Sequence, residues 1–230
     1  MMHLIRLELK KGGFTSYLWG SLLAYAIIAC FIMVLYFTGN NLGAEGFQNY
    51  EDALNAINTF VLATFIIYAS VLLSKLIINE FKDKTIHLLF AYPINRKKLI
   101  LAKLSIVFFW TFVNVVLANL LIDVLFITIN QIFGYVSGTL TITLLVHHAI
   151  YVLLQAFGAA GMSLLSLVLG LRKKSAAFTV ATSIFIVMIV CSSNGNFNLA
   201  SIIAVPLSLA VLGILITYLS FRNIDRVDVD

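Results

Sequence analysis

The sequence is short of charge. Asp, Glu, Lys and Arg make up 11% of its 230 residues, against 61% hydrophobic, whereas a soluble domain carries about 25% charged residues. So little polar material cannot cover a water-soluble globule, and a mean hydropathy of +1.03 makes lipid the solvent for most of the chain. Cysteine is nearly absent: Cys30 and Cys191 fall in apolar stretches, form no disulfide framework or metal spacing, and suit packing as small hydrophobes. A phosphate-binding loop is lacking as well. The nearest stretch, GLRKKS at Gly170–Ser175, has neither the Gly-Lys pair nor the spacing of G-x-x-x-x-G-K-[ST], so the chain does not bind ATP by that route. No nucleophile with a base and no metal cluster stands out, and catalysis by this chain is not expected.

What is present is a series of long apolar runs. A helix needs roughly 20 apolar residues to cross about 30 Å of hydrocarbon. Six runs qualify: about 14–37, 57–78, 104–129, 140–171, 176–190 and 201–221, the fifth being short. They use more than half the chain and leave no room for a separate soluble domain, so residues 1–230 read as one all-α integral membrane domain. The first run is too long for the 7–15 residues of a signal-peptide core and reads as an uncleaved span.

Positive charge fixes the orientation. Arg6, Lys10 and Lys11 precede the first run; Lys75, Lys82, Lys84, Arg96, Lys97, Lys98 and Lys103 lie in or beside the connector after the second. Arg172, Lys173 and Lys174 follow the fourth, and Arg222 and Arg226 the sixth. With six spans all of these fall on one side, which the positive-inside rule makes cytoplasmic, together with both termini. The opposite segments, 38–56, about 130–139 and about 191–200, hold no Lys or Arg but do hold Glu45, Glu51 and Asp52. Anionic lipid on the inner face accounts for the net charge of +5, and no nucleic-acid partner is needed.

Two segments outside the lipid carry a pattern. Residues 1–13 alternate Leu4, Ile5, Leu7 and Leu9 with Arg6, Glu8, Lys10 and Lys11, which suits an interfacial helix, although a plain basic flank fits too. In the connector 79–103, Phe81, Thr85, Leu88, Leu89 and Tyr92 share one helical face. Pro93 disfavours helix at Tyr92, and Asn95 can cap a second helix from Arg96 that runs into the third span. The pattern is that of helix, corner, helix with a basic outer end, an element a soluble partner can grip; a solvated loop is the plainer alternative.

Polar groups within the spans are few. Asp123 is the one acidic residue inside a span; Asn119 shares its helical face, Asn114 lies five residues further back, and Gln155 sits near the middle of the fourth run. Ionisable groups in lipid are functional candidates, so these four are a candidate substrate path. Two simpler roles stay open: hydrogen bonding between helices, and, for Asp123, reaching the outer headgroups. Small residues at Ala156/Ala160 and Ala159/Ser163 allow close helix packing. His147 and His148 are consecutive and point to different faces of a regular helix. Pro206 is expected to kink the sixth span.

The order Glu80, Lys84-Thr85, Leu88-Leu89, Pro93, Asn95-Arg96, Lys103 resembles the connector of the membrane subunit of ABC-2-type ABC transporters, with Lys84 where a Gly is usual. Leu7-Glu8-Leu9-Lys10-Lys11 is similar to the interfacial helix before that family's first span. The resemblance implies a six-span, type V exporter-like transmembrane domain and a bacterial plasma-membrane location. It implies a partner ABC ATPase in two copies, which holds the ATP and Mg2+, and a second permease, identical or paralogous. Glu80, Phe81, Thr85, Leu88, Leu89, Tyr92, Pro93 and Arg96 would then couple the ATPase to the spans. The implied cargo is an amphipathic or antimicrobial-type peptide, with drugs or lipids as alternatives. A membrane-embedded sensor or scaffold, or an ion-coupled transporter using Asp123, are the readings from other classes.

Overall fold

A computed structural model describes residues 14–41, 47, 49–78, 96–138, 140–173, 175–194, 197–198 and 202–222. Six helices account for nearly all of them: α1 (Phe14–Asn41), α2 (Tyr50–Leu73), α3 (Arg96–Phe133), α4 (Ile142–Arg172), α5 (Ala176–Val190) and α6 (Ala204–Arg222). A π-helical turn, Ser74–Ile78, prolongs α2. Beyond α5 two dipeptide strands, β1 (Ser193–Asn194) and β2 (Phe197–Asn198), pair antiparallel. The expected interfacial helix at 1–13 and the connector residues Glu80, Phe81, Thr85, Leu88, Leu89, Tyr92 and Pro93 lie outside the described residues.

Four helical stretches, Tyr17–Gly39, Tyr50–Ile78, Leu99–Phe133 and Ile142–Leu171, are long and apolar enough to cross a membrane. Two shorter apolar helices, Ala176–Val190 and Ala204–Ser220, accompany them. At about 1.5 Å per residue, the 15 residues of α5 reach about 22 Å, less than the hydrocarbon thickness.

The helices extend past the apolar runs at several ends. α2 starts at Tyr50 rather than Ile57, because Glu51 and Asp52 fall in its first turn, where carboxylates favour the positive end of the helix dipole. α3 starts at Arg96 and runs unbroken to Phe133, so the basic flank and the span are one rod. The expected kink at Pro206 is corrected: Pro206 is the third residue of α6, and a first-turn proline removes an N–H that has no partner within the helix.

The bundle is sorted for lipid. On α1 a stripe of Ala24, Ile28, Ile32 and Tyr36 is buried, while Trp19, Leu22, Leu23, Ile27, Phe31 and Val34 are exposed. On α3 the polar residues Thr111, Asn114, Asn119 and Asn130 are buried, while Phe109, Val113, Leu117, Leu120, Leu121 and Val124 face out. A water-soluble helix has the reverse arrangement. α2 lies deepest: Ala53, Leu54, Ile57, Val61, Leu62, Phe65 and Ile66 are each at most 1% exposed.

Because lipid tails are as apolar as leucine, helices in a bilayer associate through close packing and hydrogen bonds. α4 and α6 meet over glycine. A Cβ on Gly158 would stand 2.8 Å from the Pro206 Cβ; one on Gly161 would strike Ala210, and one on Gly213 the Gly161 carbonyl. The small residues expected to permit such packing, Ala156, Ala159, Ala160 and Ser163, are fully buried on α4, but the close approach of α4 to α6 is made at these glycines. Elsewhere side-chain hydrogen bonds tie the rods: Tyr25 to Asn114 at 2.6 Å, Tyr68 to the Tyr17 carbonyl at 2.8 Å, and Ser70 to Ser183 at 2.8 Å.

Candidate functional site

The two ends of the bundle differ in charge. One holds Lys75, Lys103 and Lys173 and is called here the basic end; the other holds Glu51, Asp52, Asp123 and both histidines of α4 and is called the acidic end. Each carries a distinct arrangement of polar groups.

At the basic end, Lys103 is 2% exposed, and its ammonium donates to the Leu76 carbonyl at 3.1 Å. An ammonium out of water has to be paired, and the carbonyl belongs to the π turn Ser74–Ile78. Ile77, Ile78, Ile100, Leu104, Val107 and Leu167 belong to one apolar cluster at this end. The π turn that prolongs α2 and the third turn of α3, in the two described segments that flank residues 79–95, are thus fastened together. Nearby, Lys75 sits over the Tyr17 ring with its Nζ 5.7 Å from the centroid. Of the coupling residues expected from the connector, Arg96 alone falls within a described element, as the first residue of α3.

At the acidic end, Asn130 joins three elements. Its Oδ1 accepts from the Tyr36 hydroxyl at 2.8 Å and from the Val136 N–H at 2.9 Å. Its Nδ2 donates to the Tyr50 hydroxyl at 2.7 Å and the Val136 carbonyl at 3.1 Å. Every hydrogen-bonding capacity of the amide is used. Gly134, at φ +66°, ends α3 with its N–H on the Asn130 carbonyl at 2.8 Å, a left-handed terminus that suits glycine. Asn49 and Ser137 form a parallel bridge between the segments that precede α2 and follow α3.

About two turns deeper, Asp123 meets His148 across the α3–α4 hairpin, with Nε2 to Oδ2 at 3.1 Å. With the carboxylate ionised the imidazole Nε2–H donates, and with a protonated carboxyl the direction reverses. The side chains are 11% (His148) and 14% (Asp123) exposed. The second carboxylate oxygen, Oδ1, is buried and takes no hydrogen bond among the described residues; the same holds for Asn119 Oδ1 and Asn58 Oδ1. All three are acceptors. Asn119 keeps its amide on the Val115 carbonyl at 2.9 Å.

Beside His148 a cavity of about 300 Å3 opens between α2 and α4. Glu51, Asn55, His147, His148 and Tyr151 supply its polar wall, Leu54, Leu144 and Ile203 its apolar one. Tyr151 is hydrogen-bonded in turn to Gln155.

The four residues expected along a path are therefore divided. Asp123 and Asn119 lie together on the α4-facing side of α3, and Gln155 reaches the cavity through Tyr151. Asn114 does not join them: nine residues at about 100° each place it opposite Asp123 on α3, where Tyr25 of α1 bonds it and its amide donates to the Trp110 carbonyl at 2.7 Å. Asp123 has its hydrogen-bond partner on the next helix. His147 and His148 do point differently, His147 exposed and His148 toward Asp123, yet both line one cavity. No group of three or more His, Cys, Asp or Glu that could hold a metal occurs among the described residues.

His148, Tyr151, Glu51 and Asn130 were not singled out from the sequence as site residues. A usable signal existed for His148. Asp123 stands ten residues before the end of α3 and His148 six residues after the start of α4. Antiparallel helices joined by a short turn bring such positions to within one helical turn of each other.

Long apolar helices that bury their polar side chains and expose their apolar ones define a multi-pass helical membrane protein. Residues 4–192 match the family described as ABC-2 family transporter protein, and the chain belongs to that family. The family is a membrane component of transport without an ATPase of its own. The chain is 40% identical over 227 residues to the protein YcbO of Bacillus subtilis (strain 168), covering 99% of this chain and 100% of that one. No solved structure matches.

Proposed function

We propose that this chain is the permease subunit of an ATP-driven exporter in a bacterial plasma membrane. Its six helices cross the bilayer with both termini and the basic end in the cytoplasm. The observation that carries the reading is family membership over residues 4–192 in a chain that lacks a phosphate-binding loop: transport driven by ATP then needs a separate ATPase. Two copies of that ATPase, which hold the ATP and Mg2+, dock on the connector through Glu80, Phe81, Thr85, Leu88, Leu89, Tyr92, Pro93 and Arg96. A second permease, identical or paralogous, completes the transport path.

The Lys103–Leu76 bond supports the coupling role given to the connector. Force applied between residues 79 and 95 enters α2 and α3 where the two are already joined, and the unbroken 38 residues of α3 carry it to Asp123 and Asn130. An apolar interior with few fixed charges favours an amphipathic cargo such as a peptide; drugs or lipids are the second reading.

The test is purification of the tagged permease from its native host. Expected is an ABC ATPase in the complex whose turnover falls with Glu80→Ala and Arg96→Ala and is lost when 81–92 is scrambled. ATP hydrolysis indifferent to the scramble removes the coupling role, and absence of any ATPase favours the sensor or ion-coupled readings.

A further inference from the structure

The cavity at the acidic end is a built site rather than a packing gap. Its wall combines a carboxylate, two imidazoles, a phenol and an amide with three aliphatic side chains. At about 300 Å3 it is at the small end of ligand sites, about 300–1,000 Å3, and accommodates a single side-chain-sized group.

The charge around it has one sign. Among the described residues no Lys or Arg lines the cavity, and none occurs in the sequence of 38–56, 130–139 or 191–200. Glu51 is in the wall and Asp123 directly behind His148. His148 Nε2 is committed to Asp123, which leaves Nδ1 as its remaining polar atom. Tyr151 adds an aromatic ring, whose face attracts cations. An anion would meet the Glu51 carboxylate, and a neutral alkyl group would leave the polar wall of Glu51, Asn55, His147, His148 and Tyr151 unmatched.

We propose that this cavity binds one ammonium group carried on a short apolar stem. The ammonium supplies N–H donors and positive charge to Glu51 and the His148–Asp123 pair, and the stem lies against Leu54, Leu144 and Ile203. This deepens the permease reading, since it names the cationic end of an amphipathic substrate as what the acidic end of the bundle selects. The ammonium can belong to a soluble amphipath or to an aminophospholipid headgroup.

The test uses the full-length permease, without any ATPase, in nanodiscs of phosphatidylcholine and phosphatidylglycerol, neither of which has a primary amine. Calorimetric titration compares n-hexylamine, n-hexanol and n-hexanoate. Partition into the bilayer is common to all protein variants, so the site is read from the difference between them. Saturable binding of hexylamine alone is expected, weakened roughly tenfold by Glu51→Gln and more by Glu51→Lys, with unchanged melting because Glu51 is exposed. His148→Gln serves as a second probe from the other wall.

Hexylamine that only partitions, hexanoate that saturates, or affinity indifferent to both Glu51 variants would each overturn the proposal. Repeating the titration with phosphatidylethanolamine in the disc assigns the source: displacement of hexylamine points to the lipid headgroup, persistence to a soluble amphipath, and both uphold the ammonium site. A failed titration alongside an intact ATPase complex removes this site and leaves the permease reading standing. The reverse pair of results separates them the other way.

Discussion

The Lys103 ammonium donates to the Leu76 carbonyl at 3.1 Å from a position 2% exposed, which makes a charge the fastener between the end of α2 and the start of α3. Burying an ammonium is costly unless it is paired, so the position is demanding in a way an ordinary flanking lysine is not. Lys103→Met keeps the stem packing and removes the bond. It is expected to cost about 1–3 kcal/mol, read as a lower melting temperature of the purified permease. If an ATPase complex is in hand, the same variant should hydrolyse ATP with little transport. A melting temperature equal to that of the parent protein would show the bond to be incidental.

Asp123 and His148 are coupled across the hairpin, and removal of one partner leaves the other buried and unpaired. His148→Leu should therefore destabilise by about 3–5 kcal/mol. The double change Asp123→Leu with His148→Leu should recover much of that loss, because no buried charge remains. Simple additivity in this double-mutant cycle would contradict the pair.

Asn130 serves two tyrosine hydroxyls and both backbone groups of Val136. Asn130→Leu is close in volume but satisfies none of them. Each orphaned polar group costs about 1–3 kcal/mol, so the variant should fold poorly, and the segment 134–141 should become open to protease in detergent. Protease resistance equal to the parent would sink this account.

Gly161 and Gly213 set the distance between α4 and α6. A side chain on Gly161 meets Ala210, and one on Gly213 meets the Gly161 backbone. Gly161→Val and Gly213→Val should each separate the helices and lower the yield of folded protein sharply. Gly134→Ala is the control: nothing stands within 4 Å of its Cβ, so only the φ of +66° is penalised, by about 1 kcal/mol. Comparable losses at all three sites would mean that conformational freedom, not close approach, explains the glycines.

Much of the fold is one-dimensional and was legible in the residues. Length and apolarity placed every described helix, and α5 was bounded at Ala176–Val190 from its hydropathy alone. Ends set by charge were less visible: hydropathy stops at the lipid, while a helix continues as long as its backbone bonds do, so α2 and α3 outrun their apolar cores. Pro206 was misread because the cost of proline depends on its distance from the helix start, and hydropathy does not mark that start.

The candidate site was half legible for a related reason. A sequence can show that Asp123, Asn119, Asn114 and Gln155 are out of place in lipid, and helical geometry shows which of them share a face. It does not show what that face meets. Asn114 turned to Tyr25 and Asp123 to His148 through the rotation of α3 against α1 and α4, which these interhelical hydrogen bonds help to hold. The sequence alone determined that the chain lives in a membrane and segregates its positive charge, because both follow from composition and local order, and its connector motif carried the resemblance to the ABC-2 permeases. Only the tertiary structure decided that a buried lysine joins two helices, that one asparagine ties the acidic end together, and that a cation-free cavity lies beside His148, because each depends on residues far apart in the chain coming within about 3 Å.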